Sequence, residues 1–168
     1  LDDFSVHIAG QLSSEPEVEM TVRRTVGVAY EGLGDHVRAE PHLRRALELA
    51  GQIYGADSVE AMEALARLGW LTYGLENREG AIAQLEKAAQ SQKQQLGPED
   101  PAYLQSLAYL AAVKLEAGEF DEAAAYAKSV LAGSSLAVSD DGYPNHLWAS
   151  QILAEVYRSQ GNTVEAER

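Results

Sequence analysis

The side chains of this 168-residue chain that could do covalent chemistry do not converge. Its four histidines, His7, His36, His42 and His146, are scattered. His36 and His42 flank Glu40, but six residues of helix turn their imidazoles onto different faces. Carboxylate pairs such as Asp140-Asp141 sit in loops, without the burial that would split their pKa values into an acid and a base. The run Ser139-Asp140-Asp141-Gly142 lacks the spaced ligands and closing Glu of a calcium loop. There is no cysteine, which excludes disulfide frameworks and thiolate metal sites. No nucleophile has a neighbouring base. The expectation is therefore no catalytic residue, no cofactor and no metal. What remains is non-covalent recognition. Trp70 and Tyr73 lie one helical turn apart and off the packing stripe, where an aromatic pair can anchor a peptide. Trp148, near the start of its helix, is a second such anchor. The alternative for all three is packing against a neighbouring helix or loop.

Charge narrows the partner. Lys and Arg number 13 against 26 Asp and Glu, a net charge of -13. A nucleic-acid binder needs a basic face to displace counterions, so that class is excluded. The surplus reads as an acidic, solvated surface or, more sharply, as a match for a partner with a basic patch. It is uneven: residues 18–59 hold five arginines against six acids, whereas from residue 101 four basic residues face nine acids. No apolar run approaches the roughly 20 residues of a membrane span, and no signal-peptide pattern opens the sequence. The expected location is the cytoplasm, or outside it if a parent protein carries a membrane segment. The opening on Leu1 rather than Met reads as a piece of a longer protein.

Repetition shows which elements position these residues. The segments Gly34-Asp35-His36-Val37-Arg38-Ala39, Glu76-Asn77-Arg78-Glu79-Gly80-Ala81, Gly118-Glu119-Phe120-Asp121-Glu122-Ala123 and Gly161-Asn162-Thr163-Val164-Glu165-Ala166 are copies, and their alanines are 42, 42 and 43 residues apart. Seven residues before each copy stands a small residue: Gly27, Gly69, Ala111 or Ala154. Apolar Val26, Leu68, Leu110 and Leu153 precede these. After each alanine, Leu43, Leu85 or Ala127 and then Ala46, Ala88 or Val130 complete the stripe of a core-facing helix.

Each unit is thus a helix A, a turn and a helix B. Helix A is expected over 19–32, 60–75, 102–117 and 145–159, and helix B over 37–54, 79–96 and 121–137. The turn needs a positive φ, supplied by Gly34, Gly118 and Gly161, with Asn77 in that role where Glu76 replaces glycine. Pro41 is expected near a helix start, where a missing N–H costs least. Asp and Ser of the inter-repeat loops cap the next helix. The fold class is all-α, a right-handed solenoid of helix hairpins. Its divisions are a capping helix over 1–15, hairpins over 16–58, 59–100 and 101–143, and an incomplete fourth over 144–168. An apolar flank at Leu153 and Val156 is expected to be open, either to further repeats or to a second copy that makes a homo-oligomer.

These motifs resemble the tetratricopeptide repeat (TPR), in the long form seen in kinesin light chains and many bacterial proteins. Diagnostic are Ala39-Glu40-Pro41-His42-Leu43-Arg44-Arg45-Ala46-Leu47-Glu48-Leu49 and Leu96-Gly97-Pro98-Glu99-Asp100-Pro101. The opening, from Leu1-Asp2-Asp3 through Pro16-Glu17-Val18-Glu19 to Val22-Arg23-Arg24-Thr25-Val26-Gly27, resembles the TPR region behind the kinase domain of some bacterial serine/threonine kinases. No kinase signature is present. The resemblance implies a scaffold that binds a peptide or protein on a concave helix A face. By position that face holds Thr21, Arg24, Val28 and Glu31; Glu63, Ala66, Trp70 and Tyr73; Gln105, Ala108, Ala112 and Leu115; and Trp148, Gln151, Glu155 and Arg158. The paired asparagines of the kinesin type are replaced by Ala66-Arg67 and Ala108-Tyr109, so backbone clamping is not expected, and Tyr109 offers a hydroxyl instead.

Overall fold

The structure, a computed structural model, describes residues 14–74, 77–133 and 145–161. Among the described residues the chain is all-α and has no strand. The helices are α1 (Pro16–Gly32), α2 (His36–Ile53), α3 (Val59–Gly74), α4 (Arg78–Leu96), α5 (Pro101–Glu116), α6 (Phe120–Gly133) and α7 (Asn145–Ser159). All but α1 begin within one residue of expectation. α1 starts three residues early because Pro16 occupies the first turn, where its fixed φ suits a helix and its missing N–H is no loss. The expected capping helix over Leu1–Leu12, the end of the helix expected over 121–137 and the alanine at 166 lie outside the described residues.

The turns repeat one chemistry. Gly34 and Gly118 have φ of 75° and 77°. In the first turn Gly34 N–H donates to Glu31 and Asp35 N–H to Tyr30; in the third, Gly118 N–H donates to Leu115 and Glu119 N–H to Lys114. This is the paired bonding that closes a helix on a left-handed residue. In the second turn Asn77 N–H makes the same long bond, to Thr72. Asn77 does not stand in for glycine. It matches Asp35: each side chain caps the next helix, Asp35 accepting from Arg38 N–H and Asn77 from Gly80 N–H. Position 76 is outside the described residues. Ser58 and Asp100 cap α3 and α5, as expected of the loops. Pro41 corrects its expectation. It lies inside α2, past the first turn, so its missing N–H deprives Val37 of a helical bond.

Contacts divide the chain into two compact units, Leu1–Gln84 and Leu85–Arg168. In the first, α2 packs on both α1 and α3. One apolar cluster holds Val26, Tyr30, Ala39, Leu43, Leu68 and Leu71, and a second holds Ala50, Ala61 and Met62. The small column has a direct cause at Gly27, where an added Cβ would stand 2.6 Å from Leu43 Cδ2. In the second unit α6 packs on α5 and α7, and α5 touches α7. Every residue of α5 from Ser106 to Lys114 is buried. A helix buried on all sides is apolar all round, and here its two polar exceptions are both bonded. Ser106 Oγ donates to the buried Gln92 Oε1 at 2.7 Å, and Lys114 is ion-paired. The repeat alanines Ala39, Ala81 and Ala123 are fully buried.

Candidate interaction surface

In the first unit two ion pairs join α1 to α3: Arg24 to Glu63 at 4.0 Å, and Glu31 to Arg67 at 3.7 Å. Later residues of α1 meet later residues of α3, so the two helices run parallel. Arg24 and Glu63 keep 43% and 38% of their side chains in solvent, whereas Arg67 keeps 7% and Glu31 14%. The first pair is accessible to a partner. The second belongs largely to the fold, and the sequence reading missed Arg67 as its buried half. Its signal was an arginine set between Ala66 and Leu68 in an apolar helix. Trp70 and Tyr73 are half-buried and stack on one another, with ring centroids 5.7 Å apart and planes at 26°. Ala66 is buried, so it adds no open groove position.

Behind this face lies a polar network that the sequence reading did not anticipate. Glu19 is 5% exposed. Its carboxylate accepts from Arg45 Nε and Nη2 at 3.2 and 3.3 Å, and from Arg23 Nε at 3.4 Å. The Arg45 hydrogen bond, aided by Arg23, holds the Glu19 carboxyl below its ordinary range against the opposing effect of burial. Arg23 Nη1 reaches Nδ1 of the buried His42 at 3.3 Å. His42 in turn stacks on Tyr30, and Arg38 lies over the other ring at 6.0 Å. These groups sit on the α1–α2 interface and are structural.

In the second unit the expected face is partly closed. Ala108, Ala112 and Tyr109 are buried, Tyr109 with 3% exposure. The Tyr109 hydroxyl accepts from Gln105 Nε2 at 3.0 Å, and its ring meets Trp148 edge-on at 5.7 Å. Gln105, Tyr109 and Trp148 are thus brought together, with the tyrosine underneath. Gln151 is exposed, and Arg158 is exposed and paired with Glu155. Lys114 is nearly buried and bonds Glu119 and Glu122. The Glu119 bond, with that to Glu122, pushes its pKa well above the ordinary lysine range. Val156 is buried and Leu153 half-buried, so the flank expected to be open there is closed at Val156.

Among the described residues no three His, Asp or Glu side chains are grouped to hold a metal ion. Among them no helix is long and apolar enough to cross a membrane.

Residues 18–94 match the family model for the tetratricopeptide repeat. No curated protein sequence matches the chain. BtubC (BKLC) from P. vanneervenii has a similar crystal structure, with a TM-score of 0.77 at 14% identity over 99% of this chain and 66% of that one. A Podosopora anserina chain assigned to the kinesin light chains, with nearly identical TPR-like repeats, gives 0.73 at 20% identity over 88% of this chain and 69% of that one. A variant of it gives 0.72 with the same identity and coverage. The chain therefore spans about two thirds of the length of these structures. At such identities the likeness to these structures concerns the fold, which is the all-α helical repeat, and residues 18–94 are the part that matches the tetratricopeptide repeat.

Proposed function

We propose that the chain is a protein-interaction scaffold that takes a peptide or protein segment on the helix A face of its first unit. Trp70 and Tyr73 are the anchor, and Arg24, Glu63 and the edge of Glu31 are the polar contacts. The observation that carries this is the Trp70–Tyr73 stack, half in solvent on the helix whose Glu63 meets Arg24. A rigid aromatic pair beside an exposed ion pair is the composition of an interface hot spot with a polar rim. Tetratricopeptide repeats mediate protein–protein interactions, which supports the class of function. In the second unit Gln105, Trp148, Gln151 and Arg158 are the matching contacts, and Tyr109 positions Trp148 from below. The setting we propose is a docking or regulatory arm of a larger bacterial protein, in the cytoplasm, with catalysis elsewhere in that protein.

Pull-downs from the source lysate test the assignment, with the native chain and a Trp70→Ala, Tyr73→Ala double variant compared after circular dichroism has shown both folded. Truncating an aromatic anchor typically costs about 2 kcal/mol or more in binding, so the variant is expected to lose most captured protein. Equal recovery by both would sink the face assignment.

A further inference from the structure

The first unit spends its basic charge internally. It has seven arginines and no lysine, and among the described residues every arginine except Arg78 is ion-paired with a carboxylate of the same unit. Arg78 stands beside the exposed Glu79. Glu15, Glu17 and Glu60, by contrast, are exposed and make no ion pair among the described residues. Glu17 is two turns before Arg24 on the same stripe of α1, and Glu60 is one turn before Glu63 on α3. Because α1 and α3 run parallel, both first turns lie at one end of the helix pair. That end is acidic, and its carboxylates outweigh the roughly half positive charge of each helix N-terminus. The Trp70–Tyr73 stack occupies the other half. Glu60 and Trp70 are ten residues apart on α3, about 15 Å at a helical rise of 1.5 Å. An extended chain covers that distance in about four to five residues.

We infer that the segment recognised on this face is basic: an extended peptide with lysines or arginines over Glu17 and Glu60 and an apolar side chain, about four to five residues away, on the Trp70–Tyr73 stack. This rests on the helix A reading above and adds the partner's charge and spacing. The aromatic contact supplies most of the affinity, since exposed ion pairs are individually weak. The carboxylates supply selection, by repelling acidic segments, and the net charge of -13 steers basic ones inward.

The test is fluorescence polarisation of the full 168-residue chain with labelled peptides in low and high salt. One peptide carries a Lys/Arg triplet, a Gly/Ser spacer and a Phe, made in both orders. Its counterpart has a Glu triplet. The basic peptide is expected to bind about tenfold tighter or better, to weaken as salt rises, and to weaken in both Trp70→Ala and the Glu17→Lys, Glu60→Lys variant. The latter changes only exposed residues, and circular dichroism checks its fold, because a lysine in a helix first turn is mildly unfavourable. Equal binding of both peptides, weakened by Trp70→Ala alone, would overturn the basic partner and leave the aromatic face standing. Basic-peptide binding that ignores Trp70→Ala would overturn both. No binding of the basic peptide in either order would overturn the inference.

Discussion

Truncating Leu43 to alanine should cost about 3 kcal/mol of stability, and should turn Gly27→Ala from a harmful change into a helpful one. Leu43 is buried between α1 and α3, in the cluster with Val26, Tyr30, Leu68 and Leu71. Its removal leaves a cavity that these neighbours refill only in part. Gly27 is the reason α1 approaches so closely. A Cβ there would lie 2.6 Å from Leu43 Cδ2 and 2.7 Å from its Cγ. Such overlap costs about 1–3 kcal/mol, more than the roughly 1 kcal/mol that alanine gains over glycine inside a helix. In the Leu43→Ala chain the clashing atoms are gone and the helical gain remains. Urea unfolding of the four chains of this double-mutant cycle, followed by circular dichroism, measures both effects. If Gly27→Ala stabilises the native chain too, the close approach of α1 and α2 is not as tight as described.

Arg45→Met is expected to be the second most damaging change, at about 1–3 kcal/mol. The lower end allows for the solvent that screens Arg45 itself, which is 38% exposed. The damage comes from Glu19, left 5% exposed with Arg23 as its remaining cation. The same carboxylate gives an acid dependence. Its pKa is lowered in the folded chain relative to an unfolded value of about 4.3. Its stabilisation is therefore fully present above the unfolded value and is lost as pH falls through the folded one. Melting temperatures from neutral pH down to about pH 3 should fall more steeply for the native chain than for Glu19→Gln. Parallel curves would show that Glu19 contributes nothing to the acid limb.

Much of this fold could be read from the sequence, because its signals are local and repeated. Ala39, Ala81 and Ala123 recur in register, and each is fully buried. Gly34 and Gly118 mark turns by a conformation that other residues avoid. Side-chain placement between helices was less legible. Glu19, Arg67 and Lys114 look like surface charges in a one-dimensional pattern. Each is buried because a partner 26, 36 or 5 residues away reaches it. Tyr109 shows the same limit: position alone put it on the groove, but α5 is enclosed over two turns and more, so the ring became support. Trp70 and Tyr73 were legible as a pair because helical spacing alone brings them together.

The hydrogen bond from Ser106 to Gln92 bears on how such chains change over generations. One repeat earlier, the same two positions are Ala50 and Ala64. The joint between α4 and α5 therefore carries a polar key that the joint between α2 and α3 lacks. Unequal recombination that placed a copy of α2 before α5 would set Ala50 against Ser106, stranding a buried hydroxyl at about 1–3 kcal/mol. Despite their common outline, the hairpins are not interchangeable beads. Their order is written into the chain's interior, so duplication or loss of a single repeat meets resistance at this joint.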